Sequence, residues 1–339
     1  MDIAKLEAAL AAEKPYRLAQ AKDAVYRQLV SSWEEATSLS EALRVKLAAE
    51  VPISSLEEVN RSSSARGDTT KIAFRLADGN VIETVLMQHY GDRNTVCVSS
   101  QAGCPMKCAF CATGTMGLKR NLTTEEIVDQ VLHFARLLDE RGERVSNMVF
   151  MGMGEPMHNY DAVMAAVRVI NDPKGLALGA RHISISTCGI VAGIARMTEE
   201  KLQVNLAISL HAPNDELRTR LMPVNRAYPL SKLMPAVEAY VAKTRRKVMF
   251  EYLLIDGLND TPEVADELAA IMRHPLYHVN LIKYHTTGAF ISSPFDRRTA
   301  FMDRLMKQGV SVTHRITFGE DIDAACGQLA NKHQKKTAA

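Results

Sequence analysis

The chain has 339 residues, 47% of them hydrophobic, with 41 Lys and Arg against 39 Asp and Glu. That is apolar material enough for one large core or two smaller ones, and it excludes a disordered chain apart from the polar stretch 331–339. A net charge of +2 announces no polyanionic partner, and no apolar run approaches the roughly 18 residues of a membrane helix.

The opening Met1-Asp-Ile-Ala-Lys-Leu-Glu7 lacks the basic-then-apolar order of a secretory signal, so a cytoplasmic protein with no membrane contact is expected. In that compartment six cysteines argue for metal or redox chemistry rather than a disulfide framework. Residues 1 to about 50 read as helices: Leu6, Leu10 and Ala11 share one face, and 21–31 and 39–51 repeat the spacing. Val59 to Asp68 is polar and turn-rich, a connection. Lys71–Leu76 and Val81–Met87 then flank Asp78-Gly79 as the two strands of a hairpin.

From about residue 95, short β-branched runs alternate with longer helical patterns. The spacing predicts strands over 95–99, 147–151, 182–186, 204–209, 248–254, 279–282 and 310–316, and helices over 123–141, 162–170, 191–197, 230–243, 262–273 and 297–307. Thr123 with Glu126 forms a capping box at the head of the first helix. Six βα units in series predict an α/β fold whose right-handed crossovers curl a parallel sheet into a partial barrel. The expected organisation is a helical N-terminal domain (1–60), a linker and β-hairpin (61–89), the barrel core (90–320) and a C-terminal segment (321–339).

Cys104, Cys108 and Cys111, spaced C-x3-C-x2-C, fall in the long loop after the first barrel strand. Thiolates are the usual ligands of zinc and of iron–sulfur clusters, and a full protein set has four. No fourth ligand is close: Cys97 lies seven residues upstream and His133 twenty-two downstream. A four-iron cluster with one open iron and a zinc knuckle completed from a distance both satisfy that spacing. Other polar groups fall at strand ends, where barrel sites gather. Gly152-Met-Gly-Glu-Pro156 follows the second strand, with glycines that admit a close ligand and a carboxylate, Glu155, suited to an ammonium group. Ser186 and Ser209 could bond a ribose or simply finish their strands, and His211 is equally ambiguous.

The cysteine motif followed by Gly-Met-Gly-Glu-Pro resembles the radical S-adenosylmethionine (SAM) superfamily. Ser99–Cys104, Gly117–Leu122, Phe150–Pro156, Ser209–Asp215 and Asp323–Ala330 together are similar to the RlmN/Cfr-type adenine methyltransferases, which modify ribosomal RNA at carbon 2 or carbon 8. The resemblance covers nearly the whole chain. It implies a [4Fe–4S] cluster on Cys104, Cys108 and Cys111, with SAM on the open iron. Gly154 and Glu155 would hold the amino-acid end of SAM, and Ser186, Ser209, Leu210 and His211 the rest of it. His285 stands where the family usually has an asparagine that touches SAM.

The same resemblance implies two equivalents of SAM, one as methyl donor and one as radical source. Cys326 would be the methyl carrier and Cys97 the thiol that resolves the protein–RNA adduct, leaving a disulfide. Glu83 would accept a proton, against the plainer reading of a glutamate on the exposed face of a hairpin; Cys188 reads as a packing residue. The implied substrate is 23S rRNA of the peptidyl-transferase centre, with tRNA as a further class. The implied electron donor is a flavodoxin with its reductase, and a monomer is expected. Lys119-Arg120 and Thr244–Lys247 are the expected phosphate contacts, so replacing Arg245 and Arg246 should weaken RNA binding. The competing readings are a radical SAM enzyme with another substrate, in which Cys97 and Cys326 are dispensable, and a non-catalytic metal-containing RNA-binding protein.

Overall fold

The structure, a computed structural model, describes residues 1–330. Three helices open it: α1 (Ile3–Ala9), capped by the Asp2 carboxylate on Lys5 N–H at 3.0 Å, α2 (Pro15–Tyr26), with proline at its first position, and α3 (Glu41–Glu50). Their apolar faces, Leu6, Ala21, Val25, Leu43 and Leu47, join one buried cluster with Trp33, whose Nε1 donates to Val51 O at 2.7 Å. The polar remainder faces water, as the spacing predicts.

Four antiparallel strands follow, β1 (Glu57–Ser63), β2 (Thr69–Arg75), β3 (Val81–His89) and β4 (Arg93–Cys97). Next come the short hairpin strands β5 (Gln101–Gly103) and β6 (Leu118–Asn121), with α4 (Ala112–Thr115) between them. The barrel continues as α5 (Thr124–Asp139), β7 (Asn147–Phe150), α6 (Tyr160–Asn171), β8 (Ile183–Thr187), α7 (Val191–Glu199) and β9 (Asn205–Ser209). It closes its count with α8 (Asp215–Leu221), α9 (Leu230–Thr244), β10 (Val248–Leu254), α10 (Pro262–Ile271), β11 (Tyr277–Lys283), α11 (Phe295–Lys307) and β12 (Val312–His314).

Ten strands form one sheet in the order β1-β2-β3-β4-β7-β8-β9-β10-β11-β12. β4 is the pivot: it runs antiparallel to β3 and parallel to β7, so hairpin and barrel share a sheet. From β4 onward every pairing is parallel, and the sheet curls without closing, because β1 and β12 remain at its edges. A strand covered on both faces is buried at every residue, as Ile183–Thr187 is, its isoleucines in the apolar core and Ser186 and Thr187 on the cavity. The Thr123–Glu126 capping box is present at 3.2 and 2.9 Å and contributes about 1 kcal/mol to the start of α5.

One expected element is corrected. The stretch 59–68, read as a connection, opens inside β1, which pairs with β2 through a bulge between Glu58 and Asn60. β1 is a sheet edge with one neighbour and an open side, so a polar sequence that would be excluded from a central strand is tolerated there. The predicted strand over 310–316 shortens to Val312–His314 at the other edge.

Candidate active site

The cysteine loop is held at five points. Its base is closed by the β5–β6 hairpin, where Cys104 N–H donates to Gly117 O at 3.0 Å. Gly103 sits there at φ +80°, and a Cβ on it would lie 1.9 Å from Gly117 O, so only glycine fits. Ala109 N–H donates to Leu221 O at the end of α8 (2.9 Å), and the Thr287 hydroxyl to Phe110 O (3.3 Å). The C-terminal segment supplies the last two bonds, through Gly327 O to Ala112 N–H (2.8 Å) and Leu329 O to the Thr113 hydroxyl (2.7 Å).

Cys104, Cys108 and Cys111 line one cavity together with Glu155, Ser186, Ser209 and His211. Burial pushes the Cys104 thiol up to about 12 and raises Cys108 and Cys111 as well, the neighbouring sulfurs adding to the effect. Bare thiols here stay protonated, and iron is the charge that would release those protons. Among the described residues no three Cys, His, Asp or Glu side chains are gathered to hold a single ion. Three cysteine sulfurs on the wall of one cavity are a donor set that would hold a four-iron cluster.

Gly154 adopts φ +104°, and a Cβ there would meet Gln101 Cβ at 2.6 Å. The Glu155 carboxylate is buried and braced by Met157 N–H (2.9 Å) and Cys188 N–H (2.8 Å), leaving each oxygen a lone pair for a ligand ammonium. Ser186 and Ser209 face each other across adjacent strand ends with hydroxyl oxygens 3.5 Å apart. The His211 ring is buried, and its Nδ1 accepts from Leu253 N–H at 3.1 Å, so Nε2 carries the proton. Burial and the nearby Arg218 charge push its pKa down to about 3, keeping the ring neutral. All of these line the cavity, as does Cys188; Leu210 does not, its side chain being part of the apolar core.

A second cavity adjoins the first, lined by Cys97, His285, Arg315, Phe318 and Cys326 among others. Cys111, Arg315 and Cys326 belong to both walls. Burial pushes the Cys97 thiol up to about 12, Cys326 adding to the rise and Arg315 opposing it. His285 lines this second cavity and not the first; its Nδ1 is 3.3 Å from Glu320 Oε1 without hydrogen-bond alignment, and its Nε2 is 3.3 Å from the Thr317 hydroxyl.

Glu83 is 1% exposed, which overturns the reading of an open hairpin face. The C-terminal segment covers it: Ala330 N–H donates to Glu83 Oε2 at 2.9 Å, while Lys71 Nζ lies 3.4 Å from Oε1 and donates to Asp323 O at 3.0 Å. Glu83 is not among the residues lining either cavity.

Sequence reasoning passed over Glu251, Arg315, Gln101 and Arg218. Glu251, buried in β10, accepts from Asn280 (3.0 Å) and pairs with Arg315 (3.4 Å), and its carbonyl takes Leu210 N–H and His211 N–H. A lone glutamate in Val-Met-Phe-Glu-Tyr-Leu-Leu was the available signal. The basic stretches fare differently. Arg120 is held bidentately by Glu126 and also by Asp78. Arg246 donates to Val204 O, Gln203 O and Asn205 Oδ1, at the end of the barrel where β9 and β10 begin. The lysines of 331–339 lie outside the described residues.

A partial α/β barrel with three thiols in its first strand-end loop and a glycine–glutamate turn in its second is the architecture of radical SAM enzymes, and residues 98–269 match the Radical SAM superfamily. The chain is 48% identical over 327 residues to a probable dual-specificity RNA methyltransferase RlmN of Geobacillus kaustophilus, covering 96% of this chain and 89% of that one. It is 48% identical over 326 residues to the protein of that name from Bacillus subtilis, covering 95% and 89%. Its fold overlays the crystal structure of a radical SAM methyltransferase from Sphaerobacter thermophilus with a TM-score of 0.93, at 47% identity and 97% coverage of both chains. The chain belongs to the RlmN family of radical SAM RNA methyltransferases. That membership implies SAM and a [4Fe–4S] cluster. Among the described residues no helix is long and apolar enough to cross a membrane.

Proposed function

We propose that this enzyme methylates an adenine ring carbon, C2 or C8, in 23S rRNA of the peptidyl-transferase centre, and that tRNA is a second substrate, in keeping with the dual specificity in its relatives' names. The observation that carries this reading is the position of Cys326 in the wall shared by two cavities, one lined by the three-cysteine loop and the other by Cys97. Adenine ring carbons are electrophilic and do not attack a sulfonium methyl, so the methyl must first be parked on a nucleophile. Cys326 is that nucleophile and takes it from one SAM as an S-methyl group.

Cys104, Cys108 and Cys111 would hold the cluster, which with a second SAM would supply the one-electron chemistry that activates the parked methyl. The protein then orients and resolves. Glu155 and Gly154 hold the amino-acid end of SAM, Ser186 and Ser209 its ribose, and neutral His211 donates through Nε2. Cys97 attacks the Cys326 sulfur of the protein–RNA adduct: the S–S bond forms as the bond from that sulfur to the methylene carbon breaks, and the carbon takes the electron pair and a proton to become the methyl group of the released base. Glu83 and Lys71 hold the segment that carries Cys326 at its post. The target base enters the second cavity by leaving its stack.

A low-potential flavodoxin with its reductase is the electron donor in this reading, and the enzyme acts as a cytoplasmic monomer. Anaerobic reconstitution with iron and sulfide, followed by SAM, reductant and a ribosomal RNA fragment, tests it. Mass spectrometry of the RNA should show one methyl group on an adenine ring carbon. Cleavage of SAM without RNA methylation would sink this assignment in favour of another substrate.

A further inference from the structure

Arg218 is 0% exposed and sits on α8, directly under the cysteine loop whose Ala109 N–H donates to Leu221 O of the same helix. Its Nη1 donates to Asn225 Oδ1 at 2.7 Å and its Nη2 to Cys188 O at 2.7 Å, with longer approaches to Tyr228 O and Ser209 O at 3.4 Å. Every acceptor is neutral. Its Nε is buried with no partner, and among the described residues the guanidinium forms no ion pair with a carboxylate. Asp215, the acid on the same helix, is exposed and instead accepts from Asn225 and Leu230 N–H.

A guanidinium has a pKa too high to escape by deprotonation, so this is a buried positive charge whose nearest acid, Asp215, reaches it only through Asn225. Such a charge is costly unless an anion stands nearby. Arg315, which lines the cavity, has Glu251 for that purpose. Arg218 lies behind the wall of that cavity, bonded to the carbonyls of Cys188 and Ser209, two residues that line it together with Cys104, Cys108 and Cys111. Three thiolates around a 2+ iron–sulfur core leave a net charge of −1, which one added electron makes −2, and net charge around such a cluster is one of the terms that sets its potential.

We infer that Arg218 is the fixed counter-charge of the iron–sulfur cluster, a positioning residue that raises the cluster's reduction potential so that an external low-potential donor can deliver the electron. This rests on the cluster that family membership implies and is independent of which base is methylated. A cation stabilises the reduced, more negative state over the oxidised one. Its bonds to the carbonyls of Cys188 and Ser209 also tie two strand ends beneath the loop, and the test must separate charge from tether.

The experiment is an EPR-monitored redox titration of the reconstituted holoenzyme with SAM and without RNA, using dithionite as the one-electron donor, on wild type, Arg218→Lys, Arg218→Gln and Asn225→Asp. In Arg218→Gln the ratio of reduced to oxidised cluster at a fixed poise should fall at least tenfold, about 59 mV for one electron. Arg218→Lys keeps the charge and should stay within threefold of wild type. Asn225→Asp keeps the guanidinium and places a carboxylate against its Nη1; it should move the potential the same way as Arg218→Gln. An unchanged potential in Asn225→Asp overturns the inference even where Arg218→Gln fails to fold, as does an Arg218→Lys shift equal to that of Arg218→Gln. A wild type that loads no four-iron cluster would overturn the inference by removing its premise, and the family reading with it, whereas a loaded cluster with immobile potential overturns this inference alone.

Discussion

Polar groups at the two ends of the barrel are used differently, as Glu155 and Arg246 show. At the end where β7, β8 and β9 finish, Glu155, Ser186, Ser209 and His211 converge on one cavity and keep bonding capacity free. At the end where β9 and β10 begin, Arg246 spends its guanidinium on three acceptors of its own chain. A basic run in a sequence therefore says little about a polyanion until one knows whether main-chain carbonyls have already claimed it. Function collects where polar groups are left partly unsatisfied.

The largest expected effect is at the cavity end. Cys326→Ala should abolish RNA methylation while the iron content and the cleavage of SAM persist, measured by RNA mass spectrometry beside an iron assay. Retained methylation would dissolve the two-cavity reading. Gly154→Ala comes next, because it forces a β-carbon into Gln101 at a backbone angle that costs about 1–3 kcal/mol on an ordinary residue. SAM affinity, read by calorimetry, should fall at least about tenfold, equivalent to about 1.4 kcal/mol; wild-type affinity would show that the turn gives way freely.

His211 tests the same end through pH. Its folded pKa of about 3 lies below its ordinary 6.5, so between those values the unfolded chain binds a proton that the native one refuses. Stability should therefore fall as pH drops through that window, with this residue contributing a slope of up to about 1.4 kcal/mol per pH unit. In His211→Gln, denaturant titrations across the window should show that contribution gone; an unaltered slope would mean another group carries it. The smallest effect belongs to the opposite end. Arg246→Ala orphans carbonyl acceptors at Val204 and Gln203 and should cost about 1–3 kcal/mol of stability, with RNA affinity and its salt dependence unchanged. A flattened salt dependence would return Arg246 to the RNA interface and erase the contrast between the ends.

Much of this was legible in the chain itself. Parallel strands betray themselves by short unbroken apolar runs, so β7 to β11 lie where the pattern puts them. The C-x3-C-x2-C loop and Gly152–Glu155 are local signals, and the structure brings both to one cavity. Cys97 and Cys326 stand more than two hundred residues apart and came only through resemblance, since no local spacing links them. Glu251 and Arg218 are single charges on separate elements that burial singles out, and half-buried Arg315 is singled out by its pairing with Glu251, both properties of the assembled molecule. The plainer reading of Glu83 fails for the same reason: a hairpin face reads as open until a distant segment lies over it.

That covering segment has a consequence for the order in which the molecule is made. The cysteine loop is fastened by Thr113 to Leu329, 216 residues later, and the hairpin by Glu83 to Ala330, 247 residues later. Contacts of such long sequence separation are slow to close, because the intervening chain must first be ordered. A growing polypeptide displays its three cysteines more than two hundred residues before Gly327 and Leu329, which fasten their loop. Iron that met the loop before those residues were in place would find two of its five fastenings missing.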